Sequence, residues 1–358
     1  MKDPIKIAVV LPRGMVFSET GATSIDLVVR DQVAYNKNPI LTSYIVGEEV
    51  PRPFKGFDFR PISSSNQRKL HTKYLDEIKK DLPDVVVVHQ YPQAASYIAR
   101  QLPDTPVVLY RHGLLKRNRN WVTKLYKQKR FSKLSKLIFV SEYIKEAFLQ
   151  DYPDLRGKSS VVSNAVDIDY WQPSQVKKKQ ICFAGRARAD KGIRELVDAF
   201  KALDPSDWQL KLALAVQTQQ EVEFFAEVST LCRDTEKIQI TKNVKSTQVR
   251  DLFAESMIAV LPSIVKEGFP RAVVEAMSCG CATIASDGGG TPEAMGDGGI
   301  LLDVVTRDSI SAALQPLFRD EASIKTWAER ARVHAVNNLD SKKSIEKYNA
   351  ALLELVVG

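Results

Sequence analysis

Ile181-Cys182-Phe183-Ala184-Gly185-Arg186-Ala187-Arg188-Ala189-Asp190-Lys191-Gly192-Ile193 is the stretch from which the fold can be read. An apolar run of strand length stops at Gly185, and Gly192 opens a segment with helical spacing over Ile193–Leu203. Strand, turn and helix make half of a βαβ unit, and the pattern continues both ways. Downstream, apolar runs at 210–216, 238–240, 258–261 and 282–285 alternate with helical spacing at 221–231, 247–255 and 271–278. Upstream, runs at 5–11, 40–46, 85–89, 107–110, 137–140 and 160–163 alternate with helical segments at 24–35, 69–80, 93–101 and 142–149. Near-continuous apolar runs are strands covered on both faces, so the sheets are parallel with helices on each side. After Leu302 the spacing is helical to the end, at 307–318, 322–336 and 341–356.

Two such series in 358 residues agree with about 150 residues per domain. The polar, aperiodic stretch 169–179 reads as a linker between domains at 1–168 and 180–340. Residues 341–358 hold the last helical segment. Apolar residues are 44% and charged residues 26%, values that exclude disordered, collagen-like and disulfide-stapled chains. No apolar run approaches the ~18–20 residues of a membrane span. The run 7–11 is too short for a signal-peptide core. Cys182, Cys232, Cys279 and Cys281 show no paired framework, and Cys279-Gly280-Cys281 lacks further zinc ligands nearby. A reducing cytoplasm is the expected compartment.

The net charge of +8 is unevenly spread. Ten basic residues and no acid lie between Arg111 and Lys136: Arg111, Lys116, Arg117, Arg119, Lys124, Lys127, Lys129, Arg130, Lys133 and Lys136. Trp121, Val122, Leu125, Tyr126 and Phe131 interleave them, and these apolar positions are expected to need burial. One reading is a solvated, Lys-rich surface helix. The other, favoured, is a surface for anionic lipid head groups or an acidic acceptor. Nucleic acid is not expected, because no nucleic-acid-binding motif accompanies the charge.

Ligands of open α/β sheets sit beyond the carboxyl ends of the strands, and the chemistry-bearing residues follow strands here. Gly185 permits close backbone approach, while Arg186 and Lys191, five positions apart, are placed to straddle a diphosphate. Glu267-Gly268-Phe269-Pro270-Arg271 leads into a helix ending near Gly280, with Glu275 on its second turn beside Ala272, Ala276 and Cys279. A helix N-terminus offers N–H groups to phosphate, and an acid offers its oxygens to sugar hydroxyls. Asp287-Gly288-Gly289-Gly290-Thr291-Pro292-Glu293 is a phosphate-wrapping loop or a plain flexible turn. His112 and His89 each follow a strand, where a hydrogen-bonded structural histidine is the simpler reading.

Taken together, Gly185-Arg186, Lys191-Gly192, Glu267 and Glu275 with seven residues between, and Gly289-Gly290 with Pro292-Glu293 resemble the C-terminal half of retaining GT-B glycosyltransferases of family 4. Ser163-Asn164-Ala165-Val166-Asp167 resembles that family's Asn-Gly-Val-Asp segment, with Ala165 in place of glycine. The resemblance implies an α/β GT-B protein, with two doubly wound Rossmann-like domains facing an interdomain cleft and a last helix at 341–358 that crosses back to the first domain. It implies a catalytic set of His112, Arg186, Lys191 and Glu267, the two cations at the donor diphosphate and Glu267 at the sugar. Gly21, Gly185, Gly268, Phe269 and Glu275 would bind the donor, Glu275 at the ribose. Gly21-Ala22 stands where the family has a Gly-Gly pair. Asp167-Ile168-Asp169 mimics a metal-binding Asp-x-Asp but falls at the joint, so neither metal nor cofactor is expected. The nucleotide sugar is a co-substrate, a UDP-sugar first and a GDP-sugar second.

The implied function is retaining transfer of a sugar to a bacterial surface glycan, such as lipopolysaccharide core or a lipid-linked saccharide. Peripheral contact with the inner membrane is expected with it. The alternatives are a GT-B nucleotide-sugar epimerase or disaccharide phosphorylase, and a non-catalytic nucleotide-sugar-binding protein.

Overall fold

The computed structural model describes residues 4–63, 69–116 and 120–356. Two units divide the chain: Met1–Ser163 with Ser341–Gly358, and Asn164–Asp340. In the first, β1 (Ile5–Val10), β2 (Leu41–Glu48), β3 (Phe59–Ile62), β4 (Val85–His89), β5 (Val107–Arg111), β6 (Lys136–Phe139) and β7 (Ser159–Val161) form one sheet. Its order is β3-β2-β1-β4-β5-β6-β7, with every pairing parallel. The central register sets Val9 against Ile45 on one side and Val87 on the other. The connecting helices are α1 (Ser24–Ala34), α2 (Leu70–Lys79), α3 (Pro92–Gln101), α4 (Trp121–Phe131) and α5 (Glu142–Asp151). Every residue of β4 and β5 is buried, as doubly covered parallel strands require.

The second unit repeats the plan. β8 (Lys178–Arg186), β9 (Gln209–Ala215), β10 (Ile238–Lys242), β11 (Ser256–Leu261), β12 (Ala282–Ser286) and β13 (Gly299–Leu302) pair in the order β10-β9-β8-β11-β12-β13, again all parallel. Its helices are α6 (Ile193–Leu203), α7 (Gln219–Leu231), α8 (Ser246–Glu255), α9 (Arg271–Ser278), α10 (Thr291–Met295), α11 (Arg307–Arg319) and α12 (Glu321–Asn338). The last helix, α13 (Ser341–Leu353), belongs to the first unit, where Asn349 and Asn36 exchange side-chain hydrogen bonds of 2.9 and 3.0 Å.

Four features depart from the sequence expectation. Strands β3 and β13 have no counterpart in it. Both are four-residue edge strands, one holding Pro61 and the other beginning at Gly299, and neither carries a long apolar run. Residues 169–179 are not a free linker but part of the second unit. Trp171 is buried, and Arg332 ties down the carbonyls of Trp171 at 2.9 Å and Ile168 at 3.1 Å. Lys177 Nζ donates to the carbonyls of Ser256 and Cys279 at 2.7 and 2.8 Å, and Lys178 already belongs to β8. The stretch is polar because its lysine serves carbonyls at the ends of neighbouring elements.

The third departure is α4, whose apolar positions do not go inside. Only Phe131 of that helix is buried. The fourth concerns the basic run. Arg111 is buried and spends its guanidinium on the carbonyls of Gln90, Gly113 and Leu114, at 3.0, 2.7 and 3.0 Å. It is a structural clasp rather than surface charge. Lys136 is paired with Glu354. Arg117 and Arg119 lie outside the described residues.

Candidate active site

Three loops at the carboxyl ends of adjacent strands converge on Glu267. The loop after β8 turns through Gly192, whose φ of +67° is in the left-handed region. A Cβ there would overlap the Pro262 carbonyl oxygen of the loop after β11, so only glycine permits this approach. The same two loops are joined by the Ile264 amide donating to the Asp190 carbonyl at 2.9 Å. Across this junction Lys191 Nζ pairs with Glu267 Oε1, which also accepts from Ser263 Oγ at 2.9 Å. The third loop, after β12, arrives through Gly289 at φ +68°, where a Cβ would overlap the Glu267 carbonyl oxygen. That carbonyl accepts from the Gly290 amide at 2.8 Å. Both Lys191 and Glu267 remain partly exposed.

Arg186 closes β8 and is answered by a residue that the sequence reading missed. Its Nε lies 2.6 Å from Oε1 of Glu221, whose side chain is only 2% exposed. The other carboxylate oxygen of Glu221 accepts from the amides of Gln217 at 2.8 Å and Thr218 at 3.1 Å. Burial raises the pKa of this carboxyl, but Arg186 and the two amides outweigh it and hold the group below the ordinary glutamate range. A signal was present: Thr218 followed three residues later by Glu221 is a helix-capping pattern, placed where α7 starts just after β9.

Glu275 is paired within its own helix. Arg271 Nε donates to its Oε1 at 2.7 Å, and both residues are buried. Phe269 is buried as well, and its carbonyl accepts from Asn164 Nδ2 at 2.8 Å. That bond fastens the Ser163–Asp167 segment to the loop that begins α9, where Gly268 and Pro270 lie. Gly185 ends the apolar part of β8 against the ring of Phe183.

His112 and Gly21 belong to the other unit. Gly21, at φ +84°, lies in the loop between β1 and α1. That loop is braced by Asp26, whose carboxylate accepts from the Thr23 amide at 2.7 Å. His112 follows β5 and packs against His89 and Tyr110, with ring centroids 5.1 and 4.7 Å away. Its Nε2 is 2.9 Å from Nδ1 of His89, and its amide donates to Gln90 Oε1 at 2.8 Å. Burial pushes the pKa of His89 down to about 3. Burial, then His89 and Arg111, push that of His112 well below the usual histidine value. Both imidazoles are therefore neutral at pH 7. Asp167 Oδ1 accepts from the amides of Asp169 and Tyr170 at 2.9 and 3.3 Å, a local turn. Among the described residues, no group of three or more His, Cys, Asp or Glu side chains is placed to hold a metal ion.

Comparison with known proteins bears on the family and the fold. The family model for glycosyl transferases group 1 matches residues 170–334, and that for glycosyltransferase family 4 matches residues 31–170. An alpha-maltose-1-phosphate synthase of Mycobacterium tuberculosis is 27% identical over 331 residues, covering 80% of this chain and 84% of the relative. A lipopolysaccharide 1,2-N-acetylglucosaminetransferase of Salmonella typhimurium is 24% identical over 250 residues, covering 65% of this chain and 62% of the relative. Among solved structures, a glycosyltransferase from Rickettsia africae superposes with a TM-score of 0.82 at 20% identity, covering 99% of each chain. An Anabaena protein in complex with UDP-glucose gives 0.79 at 16% identity, covering 98% of this chain and all of that one.

Proposed function

The chain belongs to the group 1 glycosyltransferases of GT-B fold, and from that premise we propose how it binds its substrates and what it glycosylates. The donor is a nucleotide sugar, a UDP-sugar before a GDP-sugar, held by the second unit. Arg186 and Lys191 take the diphosphate. The amides of Gly268 and Phe269 and the N-terminus of α9 frame it, and Gly185 lets it approach the backbone. Glu267 holds hydroxyls of the sugar, and Glu275 those of the ribose. In the first unit, Gly21 contributes backbone to the donor. His112 offers its Nδ1 to a sugar hydroxyl, since Nε2 is engaged by His89.

Transfer proceeds with retention by front-face displacement. The bond from the anomeric carbon to the diphosphate oxygen breaks, and the acceptor oxygen bonds to that carbon on the same face. The acceptor's proton passes to a donor phosphate oxygen. Arg186 and Lys191 stabilise the departing diphosphate, the role a divalent cation plays elsewhere, so chelator is expected to leave activity intact. The acceptor is a bacterial surface glycan, lipopolysaccharide core or a lipid-linked saccharide, met at the cytoplasmic face of the inner membrane. The Salmonella relative's name supports this acceptor, whereas the mycobacterial relative's name supports a second reading, a soluble sugar phosphate. No helix among the described residues is long and apolar enough to cross a membrane, and the contact proposed with a lipid acceptor is a peripheral one.

The convergence of three strand-end loops on the Lys191–Glu267 pair carries the reading. Its test is a thermal-shift screen with UDP-, GDP- and ADP-sugars, where a ligand at 100 times its Kd stabilises by about 2.7 kcal/mol. Stabilisation by a UDP-sugar, lost in Lys191→Ala and Arg186→Ala, is expected. No stabilisation by any nucleotide sugar, or equal stabilisation of the variants, would reject the assignment. Full loss of activity in chelator, restored by Mg²⁺ or Mn²⁺, would reject metal independence.

A further inference from the structure

Helix α4 is turned inside out relative to an ordinary surface helix. Trp121, Val122, Leu125 and Tyr126 are 72%, 54%, 54% and 59% exposed. At 3.6 residues per turn these four positions fall within one sector of roughly 140°. Leu114, just upstream, is also exposed. Surface helices normally bury such a stripe, and a contiguous exposed apolar face marks an interaction surface. The helix is nonetheless well formed on its own terms, because Asn120 Oδ1 caps it by accepting from the Thr123 amide at 2.9 Å.

Charge identifies the partner. Lys124, Lys127, Lys129 and Arg130 share the helix with no acidic residue. Lys124 Nζ is 3.8 Å from Asp151, Lys127 reaches the Lys116 carbonyl, and Arg130 reaches Ser96 Oγ, while Lys129 is exposed on the apolar side. A second copy packed on this face would set Lys129 against Lys129 inside the apolar sector, with Lys124 and Arg130 of both copies at its flanks. An anionic lipid surface instead accepts both features: acyl chains receive the aromatic and aliphatic side chains, and head-group phosphates receive the ammonium groups.

We propose that α4 is an interfacial anchor, lying in the plane of an anionic bilayer with Trp121, Val122, Leu125 and Tyr126 inserted. This deepens the acceptor reading above and rests on it only for the choice of membrane. The mode differs from simple electrostatic adsorption, because the inserted apolar side chains hold the protein when salt has screened its charges.

The full-length protein is mixed with vesicles of phosphatidylcholine alone and of phosphatidylcholine with phosphatidylglycerol. Of the four tryptophans, Trp121 is exposed, Trp327 is half-buried, and Trp171 and Trp208 are buried, so brominated acyl chains report on Trp121. Co-sedimentation with the anionic vesicles, a blue shift of tryptophan emission and quenching by brominated acyl chains are expected. Salt should weaken the binding without abolishing it. Trp121→Ser with Leu125→Ser should weaken binding at least about 10²-fold, as burial of each such side chain is worth roughly tenfold or more. Lys124→Gln, Lys127→Gln and Lys129→Gln together should cost about 10²-fold on anionic vesicles, at roughly fivefold per cation. Both variants should keep wild-type stabilisation by the UDP-sugar, which separates this inference from the donor assignment. Absence of co-sedimentation, or undiminished binding by the Trp121/Leu125 variant, would overturn the proposal. So would a dimer that the same variant dissolves, since the face would then belong to a second copy.

Discussion

Glu221 pairs with Arg186 at Nε, 2.6 Å away, which leaves the two terminal nitrogens as the atoms proposed to meet phosphate oxygens. An ion pair with one partner buried lies between the ~0–1 kcal/mol of an exposed pair and the ~3–5 kcal/mol lost on breaking a fully buried one. Glu221→Gln is therefore expected to lower turnover about tenfold, with Arg186→Ala costing about 10²–10³. Unchanged kinetics in Glu221→Gln, with folding intact, would show that Arg186 is positioned by something else. A second residue-scale consequence concerns pH. The pKa of His89 is about 3 in the folded chain and ~6.5 unfolded, so the unfolded state binds the proton more tightly. The contribution of His89 is complete above pH ~6.5 and is lost as pH falls toward the folded value, by up to ~1.4 kcal/mol per pH unit. Urea denaturation between pH 7 and 5 should show a shallower decline in His89→Gln than in wild type. Parallel slopes would mean that His89 is not buried neutral.

The strand-end loops succeed or fail on two glycines. Gly192 and Gly289 combine positive φ with backbone oxygens where a Cβ would stand. The left-handed region alone costs a non-glycine residue ~1–2 kcal/mol, and the overlap adds to it. Gly192→Ala and Gly289→Ala should each destabilise by more than ~2 kcal/mol and disrupt donor binding. Gly288→Ala is the control: its nearest atom is Lys266 Cγ at 3.8 Å, so a change within ~0.5 kcal/mol is expected. Equal midpoints in denaturant for all three would refute the close packing of these loops. The glycines were visible in the sequence as Gly192 at the start of a helical segment and a Gly288–Gly290 triplet. That they fold onto Pro262 and Glu267 was not, because those oxygens come from a different loop.

At the scale of the molecule, α13 follows the second unit in sequence but completes the first. Ile345, Tyr348, Asn349, Ala351 and Leu352 are buried there. Truncation after Asp340 should therefore expose amides of the N-terminal sheet, around β1 and α1, to hydrogen exchange, while β8 and β11 keep their protection. Uniform loss of protection across both sheets, or none at all, would contradict this partition. The sequence pattern located the final helix, and the family resemblance supplied the expectation that it crosses back. The division of the chain at Ser163 and Ser341 assigns it to the first unit.

The alternation of apolar runs with helical spacing was enough to determine two parallel, doubly wound sheets, because strands covered on both faces must be apolar throughout. It also placed Arg186 at a strand end and Lys191 and Glu267 in the loops that follow strands, since polar residues cannot continue inward. Tertiary structure alone decided which of them meet. Lys191 finds Glu267 across 76 positions, and Glu221 answers Arg186 from the next strand-helix turn. It also decided that Trp171 is buried inside an apparently polar linker and that the apolar stripe of α4 faces outward. Apolar character and period are local properties of the chain, whereas burial depends on what packs against a segment from elsewhere in the fold.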